Sequence, residues 1–222
     1  MTLFYYTSHP GAVNPENERV KFIMKNNIGL MVSAEHWNRP FTRYAVDNGA
    51  WTDFVRKQDF DVNRFMKALS KIDKLDIFPD FIVLPDIVQG GLKSLELSKR
   101  WMYLKQDYPC MLALQDGMIE DNISSDMIDG LKGIFIGGSN EWKYSTLPSW
   151  VKFARDNNLI IHVGKVGTRD NFIKCSACGV DSADGSSLVR NGKIHKIVEY
   201  RNEADLYYNK GLDYILENVC LK

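Results

Sequence analysis

Apolar residues recur along this chain in short blocks bounded by turn residues, and between the blocks they fall at the spacing of an amphipathic helix. The blocks predict eight strands, at Phe4 to Ser8, Gly29 to Ser33, Tyr44 to Asn48, Phe81 to Asp86, Cys110 to Asp116, Gly133 to Gly138, Leu159 to Lys165 and Gly179 to Asp184. Helical spacing occupies Glu16 to Lys25, Asp61 to Lys71, Leu92 to Gln106, Leu147 to Asn157 and Thr168 to Cys175. Thr146, before Leu-Pro-Ser, and Thr168, before Arg-Asp, offer side-chain oxygens to the free amides of a helix start. Strands alternating with helices imply parallel pairing through right-handed crossovers, and eight of them predict an α/β fold, a closed (β/α)8 TIM barrel, as one domain over residues 1–222. The tail departs from this rhythm. Ser187 to Arg190, Asn191-Gly192 and Lys193 to Tyr200 predict a β-hairpin, because Asn-Gly accepts the positive φ of a tight turn, and Glu203 to Glu217 predicts a final amphipathic helix.

Composition narrows the classes. With 45% hydrophobic residues in 222, the chain can bury a substantial core. No window approaches the roughly 18 to 20 apolar residues of a membrane span, and the N-terminus has no secretory pattern, so a soluble, cytoplasmic protein is expected. Formal charge is zero, which excludes binding of nucleic acid through a global basic footprint and leaves only local contacts. The four cysteines, Cys110, Cys175, Cys178 and Cys220, are too few for a disulfide framework. Cys175-Ser-Ala-Cys178 has metal-ligand spacing, but zinc needs two further ligands that no second Cys-x-x-Cys or His-x-x-x-His supplies, so helix or core cysteines are the expectation. Neither a metal nor another cofactor is expected.

Barrel enzymes carry their chemistry at the C-terminal ends of the strands. There this chain has Asp47-Asn48-Gly49, Asp86, Gln115-Asp116-Gly117, Gly137-Gly138-Ser139, Gly164-Lys165 and Asp184-Gly185. Turns favour Asp, Asn and Gly in any case, so part of this pattern belongs to loops in general. Asp47 is open to two readings, a general acid or base and an Asx-turn. Asp86 leaves the far end of an apolar run, whereas Asp80 sits at the opposite end and reads as structural. The Gln115 amide can both donate to and accept from a heterocycle edge. Gly137 and Gly138, lacking Cβ atoms, leave backbone open to a flat ligand. Asp184 ends the last strand among glycines and serines and is the candidate reactive carboxylate, while Asp181, inside that strand, reads as supporting. Several carboxylates in one mouth can divide nucleophilic and acid–base roles when their surroundings separate their pKa values.

In order, Asp47-Asn-Gly-Ala-Trp51, Asp80-Phe-Ile-Val-Leu-Pro-Asp86, Leu-Gln115-Asp-Gly, Ile-Gly137-Gly138-Ser, His-Val-Gly164-Lys-Val-Gly167-Thr and Gly-Val-Asp181-Ser-Ala-Asp184 resemble the tRNA-guanine transglycosylase family over residues 44 to 192. The resemblance implies a barrel enzyme that exchanges a guanine in a nucleic acid for a 7-deazaguanine. By position it makes Asp184 the nucleophile and Asp47 the general base, with Asp86 and Gln115 reading the guanine edge and Gly137 and Gly138 lining the pocket. Gly164, Lys165 and Arg190 join them as substrate-binding candidates, Arg190 toward phosphate. The implied chemistry is a double displacement through a covalent glycosyl-aspartate on a base that is flipped or unpaired.

The departures bear on the substrate. The family's Asp-Ser-Gly-Gly is here Asp47-Asn48-Gly49-Ala50, and its Cys and Pro-Thr-Arg run after the nucleophile is replaced by Gly185-Ser-Ser-Leu-Val-Arg190. The C-terminal site of three cysteines and a histidine that supports tRNA binding has no counterpart after residue 192. DNA is therefore expected over tRNA, as in the short relatives of phage and bacterial DNA modification systems, with the deazaguanine base as the small-molecule partner and a protein that opens the duplex as a possible further one. Lys165, Arg169, Lys174, Arg190, Lys193 and Lys196 could supply phosphate contacts or form a solvated face. Trp51 and Trp142 could stack on a base or pack the rim, the core reading being favoured for Trp142. Three other functions stay open: a tRNA-guanine transglycosylase, an N-glycosidase with water as acceptor, and a non-catalytic partner subunit, against which the paired Asp47 and Asp184 argue.

Overall fold

The computed structural model describes residues 3–10, 14 and 16–208. Strands β1 (Phe4–Ser8), β2 (Gly29–Ser33), β3 (Tyr44–Asp47), β4 (Ile82–Val83), β5 (Cys110–Leu114), β6 (Gly133–Ile136), β7 (Ile160–Val163) and β8 (Ser182–Gly185) pair in parallel and in chain order into a closed barrel. Closure is between β8 and β1, in the register Tyr6↔Asp184. All eight expected strands are present, most of them shortened at the mouth, where the chain turns away to form the site. The helices are α1 (Glu18–Lys25), α2 (Ala50–Arg56), α3 (Val62–Ile72), α4 (Leu92–Lys99), α5 (Ser125–Ile128), α6 (Asn140–Asp156), α7 (Arg169–Cys178), α8 (Ser187–Arg190) and α9 (His195–Tyr208).

Alternation along each strand divides the apolar residues into two cores. One parity fills the barrel with Tyr6, Met31, Ala45, Phe81, Val83, Met111 and Ala113, against which Phe4, Phe135 and Ile160 pack. The other parity, including Tyr5, Leu30, Val46, Leu112, Ile134 and Ile161, faces helix residues such as Phe65, Leu69, Leu147, Trp150 and Phe172. Burying a large side chain of this kind stabilises the fold by about 1.5–3 kcal/mol. Residues both of whose neighbours must be apolar explain why the strands read as continuous hydrophobic blocks rather than alternating ones. At the N-terminal end of the barrel Arg43 pairs with Asp80 through both carboxylate oxygens (2.8 and 3.1 Å), and Tyr6 donates to the same carboxylate. Arg155 similarly grips Asp181. Both aspartates are thus structural, as expected, although Asp181 lies just before β8 rather than within it.

Two expectations are corrected. The first concerns α6, expected to start after Thr146. It starts seven residues earlier than Leu147, at Asn140, with Ser139 Oγ accepting from the Trp142 amide at 3.3 Å as its cap. Thr146 is inside the helix and donates to the Trp142 carbonyl, and Pro148, which reads as a first-turn proline, is accommodated in the interior. The second concerns the tail. There is no hairpin: residues 187–190 form α8 and residues 195–208 form α9. Asn191-Gly192 ends α8 in a Schellman arrangement, with the Lys193 amide on Leu188 O (2.7 Å), the Gly192 amide on Val189 O (3.1 Å) and Gly192 at φ +69°. The same left-handed preference serves a helix end as readily as a hairpin turn. Of the expected final helix, residues 209–217 lie outside the described residues. Thr168 caps α7 as expected, and the stretch from Leu92 to Gln106 divides into α4 and a 3-10 turn at Met102–Gln106. Among the described residues no helix is long and apolar enough to cross a membrane.

Candidate active site

A cavity of about 470 Å³ opens at the C-terminal mouth of the barrel. Its wall includes Asp47, Asp86, Gln115, Gly137, Gly138, Gly164, Lys165 and Asp184, eight of the nine residues expected at the site. They meet because strand pairing carries each to the same rim. Leu114↔Ile136 and Ile136↔Val163 are paired, so Gln115, Gly137 and Gly164, each the next residue along, share a level of the ring. A space of this size lies within the range of small-ligand pockets.

Asp184 projects inward from β8 with its side chain 17% exposed. One carboxylate oxygen, Oδ1, is 3.1 Å from His162 Nε2, and His162 Nδ1 is 2.9 Å from Ser182 Oγ. His162 is wholly buried within the barrel, where burial pushes its pKa down against the opposing pull of Asp184. Sequence reasoning passed over this histidine. Its signal is parity, since position 162 lies two residues before Gly164, which directly follows β7.

Asp47, the last residue of β3, is partly buried and accepts the Gly49 amide at 2.7 Å, so the acid–base and Asx-turn readings are compatible in one side chain. Burial pushes its carboxyl up to about 6; the Gly49 amide opposes this and the charge of Asp184 adds to it. The turn is anchored from outside by Arg64, which donates to Gly49 O (3.2 Å) and forms a two-bond pair with Asp53. Asn48 is buried and reaches the other way, donating to Leu84 O (2.6 Å) and Asp86 Oδ1 (2.8 Å).

Asp86 accepts from both sides, with Gln115 Nε2 on its second oxygen at 2.5 Å, while Gln115 Oε1 takes the Gln89 amide at 3.1 Å. Burial raises the Asp86 carboxyl to about 6, the Asn48 amide opposing. The open space expected at Gly137 is occupied by this glutamine: a Cβ there would lie 2.6 Å from Gln115 Nε2. Gly138 has φ +71°, and Asp116 accepts the next amide, Ser139 N, with both oxygens. The double glycine therefore seats Gln115 and starts α6.

Two lysines complete the wall. Lys143, in the first turn of α6, is 1% exposed and donates to Gly164 O at 2.5 Å; burial pushes its pKa down. Lys165, at φ +61°, turns its ammonium to 2.9 Å from the centre of the Trp51 ring, and burial lowers it to about 8. Trp51 follows β3 and Lys165 follows β7, strands on opposite sides of an eight-membered ring, so this cation–π contact spans the mouth. Trp142 instead packs against the helix–barrel core.

Arg190 is not brought into the cavity: it is exposed at the end of α8. The basic group around it is also partly engaged, Arg169 with Glu203 and Lys196 with Glu199. Cys175 and Cys178 lie in α7, and among the described residues no group of three or more His, Cys, Asp or Glu is arranged to hold a metal ion.

The cavity joins three carboxylates, two of them with raised pKa, to a buried lysine, a second lysine at the exposed rim and an amide. Such a site can bind a planar heterocycle by its polar edge, present an anionic nucleophile and move a proton near neutral pH. In comparisons with known proteins, no family model and no curated protein matches this chain, which leaves the chemistry of the cavity as the ground for a functional reading.

Proposed function

We propose that this protein is a base-exchange transglycosylase that replaces guanine in DNA with a 7-deazaguanine through a covalent glycosyl-aspartate. The observation that carries the reading is the convergence of Asp184, Asp47 and the bonded Asp86–Gln115 pair on one cavity. Those are the residues that the resemblance to tRNA-guanine transglycosylases assigns to nucleophile, acid–base and base recognition. Asp184 attacks C1′ as the bond to N9 breaks and its electron pair leaves with guanine, which takes the proton held by Asp47. The incoming base returns a proton from N9 to Asp47, attacks C1′ and displaces Asp184. A carboxyl near pKa 6 suits both halves of this exchange. A target base reaches a cavity this deep only when flipped or single-stranded. DNA rather than tRNA as the polymer is part of this proposal, and the exchange experiment separates the two.

The test is exchange of labelled guanine into single-stranded DNA, duplex DNA and tRNA by wild type, Asp184→Ala and Asp47→Asn. Wild type incorporates label into DNA and both variants lose exchange. Full activity in Asp184→Ala removes the nucleophile assignment, incorporation into tRNA alone removes DNA as substrate, and abasic product without added base shows water as the acceptor.

A further inference from the structure

We infer that His162 is the positioning residue of this site, holding one oxygen of Asp184 through its Nε2–H so that the other oxygen faces the sugar as the nucleophile. The inference rests on the transglycosylase reading for its chemistry but on geometry for its tautomer. An ionised carboxylate only accepts hydrogen bonds, so the 3.1 Å contact places the proton on Nε2 and leaves Nδ1 to accept the Ser182 hydroxyl at 2.9 Å. Ser182 has its register partner in His162 and lies two residues before Asp184, so the relay of Ser182, His162 and Asp184 is built into the pairing of β7 and β8. The ring has no room to turn. Phe135 stacks on it at 5.0 Å and 18°, and Phe81 (4.9 Å) and Tyr6 (5.7 Å) close the remaining sides. Burial also disfavours an imidazolium, so the ring is a fixed neutral donor.

This donor acts differently on the two displacements. In the first, a lone pair of Asp184 Oδ2 forms the bond to C1′, and Oδ1, still on the Nε2–H, becomes the ester carbonyl. In the second, the pair of the C1′–O bond returns to Asp184 as the new C1′–N9 bond forms, and the reforming carboxylate charge meets a donor already in place. No proton passes through His162. Its loss therefore slows departure of Asp184 from the sugar more than attack on it, and covalent adduct accumulates.

His162→Phe removes the donor while keeping a ring in an aromatic cage, and His162→Gln restores an N–H. Adduct formation and its decay on adding base are followed on labelled single-stranded DNA, with thermal melting as the fold control. His162→Phe is expected to slow decay about tenfold to a hundredfold, the range for a hydrogen bond to a charged group, with formation less affected and His162→Gln recovering most of the loss. Wild-type decay in a folded His162→Phe, or a His162→Gln no better than it, overturns the inference. Independently of any substrate, nitrogen NMR of the wild-type ring should show the Nε2–H tautomer, with the Nε2–H protection lost in Asp184→Ala; an Nδ1–H tautomer overturns the inference too. A wild type that forms no adduct on any nucleic acid sinks the transglycosylase reading, and the tautomer then still decides the role of His162.

Discussion

Replacing Asp47 by asparagine removes a charge and leaves the local turn intact, because an amide oxygen can accept the Gly49 amide as the carboxylate does at 2.7 Å. The folded protein holds this carboxyl near pKa 6, against an ordinary 3.8, chiefly because burial penalises its charge. Between roughly pH 4 and 6 the folded chain keeps a proton that the unfolded chain has released, so stability falls as pH rises through that window and stays lower above it. At 1.36 kcal/mol per pH unit the gap corresponds to a penalty on the order of 3 kcal/mol at neutral pH. Asparagine carries no such penalty. Asp47→Asn is therefore expected to match wild type near pH 4 and exceed it by about 3 kcal/mol at pH 7.5, or roughly 6 to 12 °C in melting temperature for a domain of this size. Urea unfolding of both proteins at several pH values from 4 to 8 measures the difference directly. Stability curves that run parallel over that range would refute the argument, whatever happened to activity. The same variant should lose base exchange, since the group that stores the proton is gone. Stability gained at the expense of function is the usual mark of a strained functional residue.

Arg64→Ala leaves Asp53 buried without the guanidinium that now bonds it at 2.5 and 2.8 Å, and should cost about 3–5 kcal/mol in urea unfolding. Lysine at that position recovers only part of the loss, having no planar fork. Gly138→Ala puts a Cβ 2.7 Å from Asp116 Oδ2 at a residue with φ +71°, for an expected cost of about 1–2 kcal/mol from the left-handed backbone alone, read as a lower melting temperature. Gln115→Glu sets a second carboxylate against Asp86 where an amide now donates at 2.5 Å; guanine binding by calorimetry should weaken by roughly tenfold or more at pH 8 and recover in part at pH 5, as one carboxyl regains its proton.

How much of the site could be read beforehand depended on where each residue sits relative to a strand end. Asp47, Asp86, Gln115, Gly137, Gly164 and Asp184 were legible because period-two strands in a parallel barrel must deliver their C-terminal residues to one rim. Lys143 was hidden by a misplaced helix start. The expected strand runs to Gly138 and the expected helix starts only at Leu147, with Pro148 in its first turn, so the sequence put no helix under residue 143 and hence no ammonium in the wall. Trp51 came to the mouth on α2, a short helix with too few residues for a periodic signal. Arg190, placed by analogy rather than by strand geometry, lies outside the cavity.

The chain by itself determined the barrel, because eight apolar blocks separated by helices leave little other way to bury both faces of parallel strands. It equally determined which carboxylates share the mouth. Tertiary structure alone decided their chemistry: that Asp86 is clasped by Asn48 and Gln115, that a lysine after β7 reaches a tryptophan after β3, and that Asp184 leans on His162. Those contacts join residues from 22 to 114 positions apart, as from His162 to Asp184 and from Trp51 to Lys165. Their distances and burial follow from how the ring closes, and no local pattern encodes that closure.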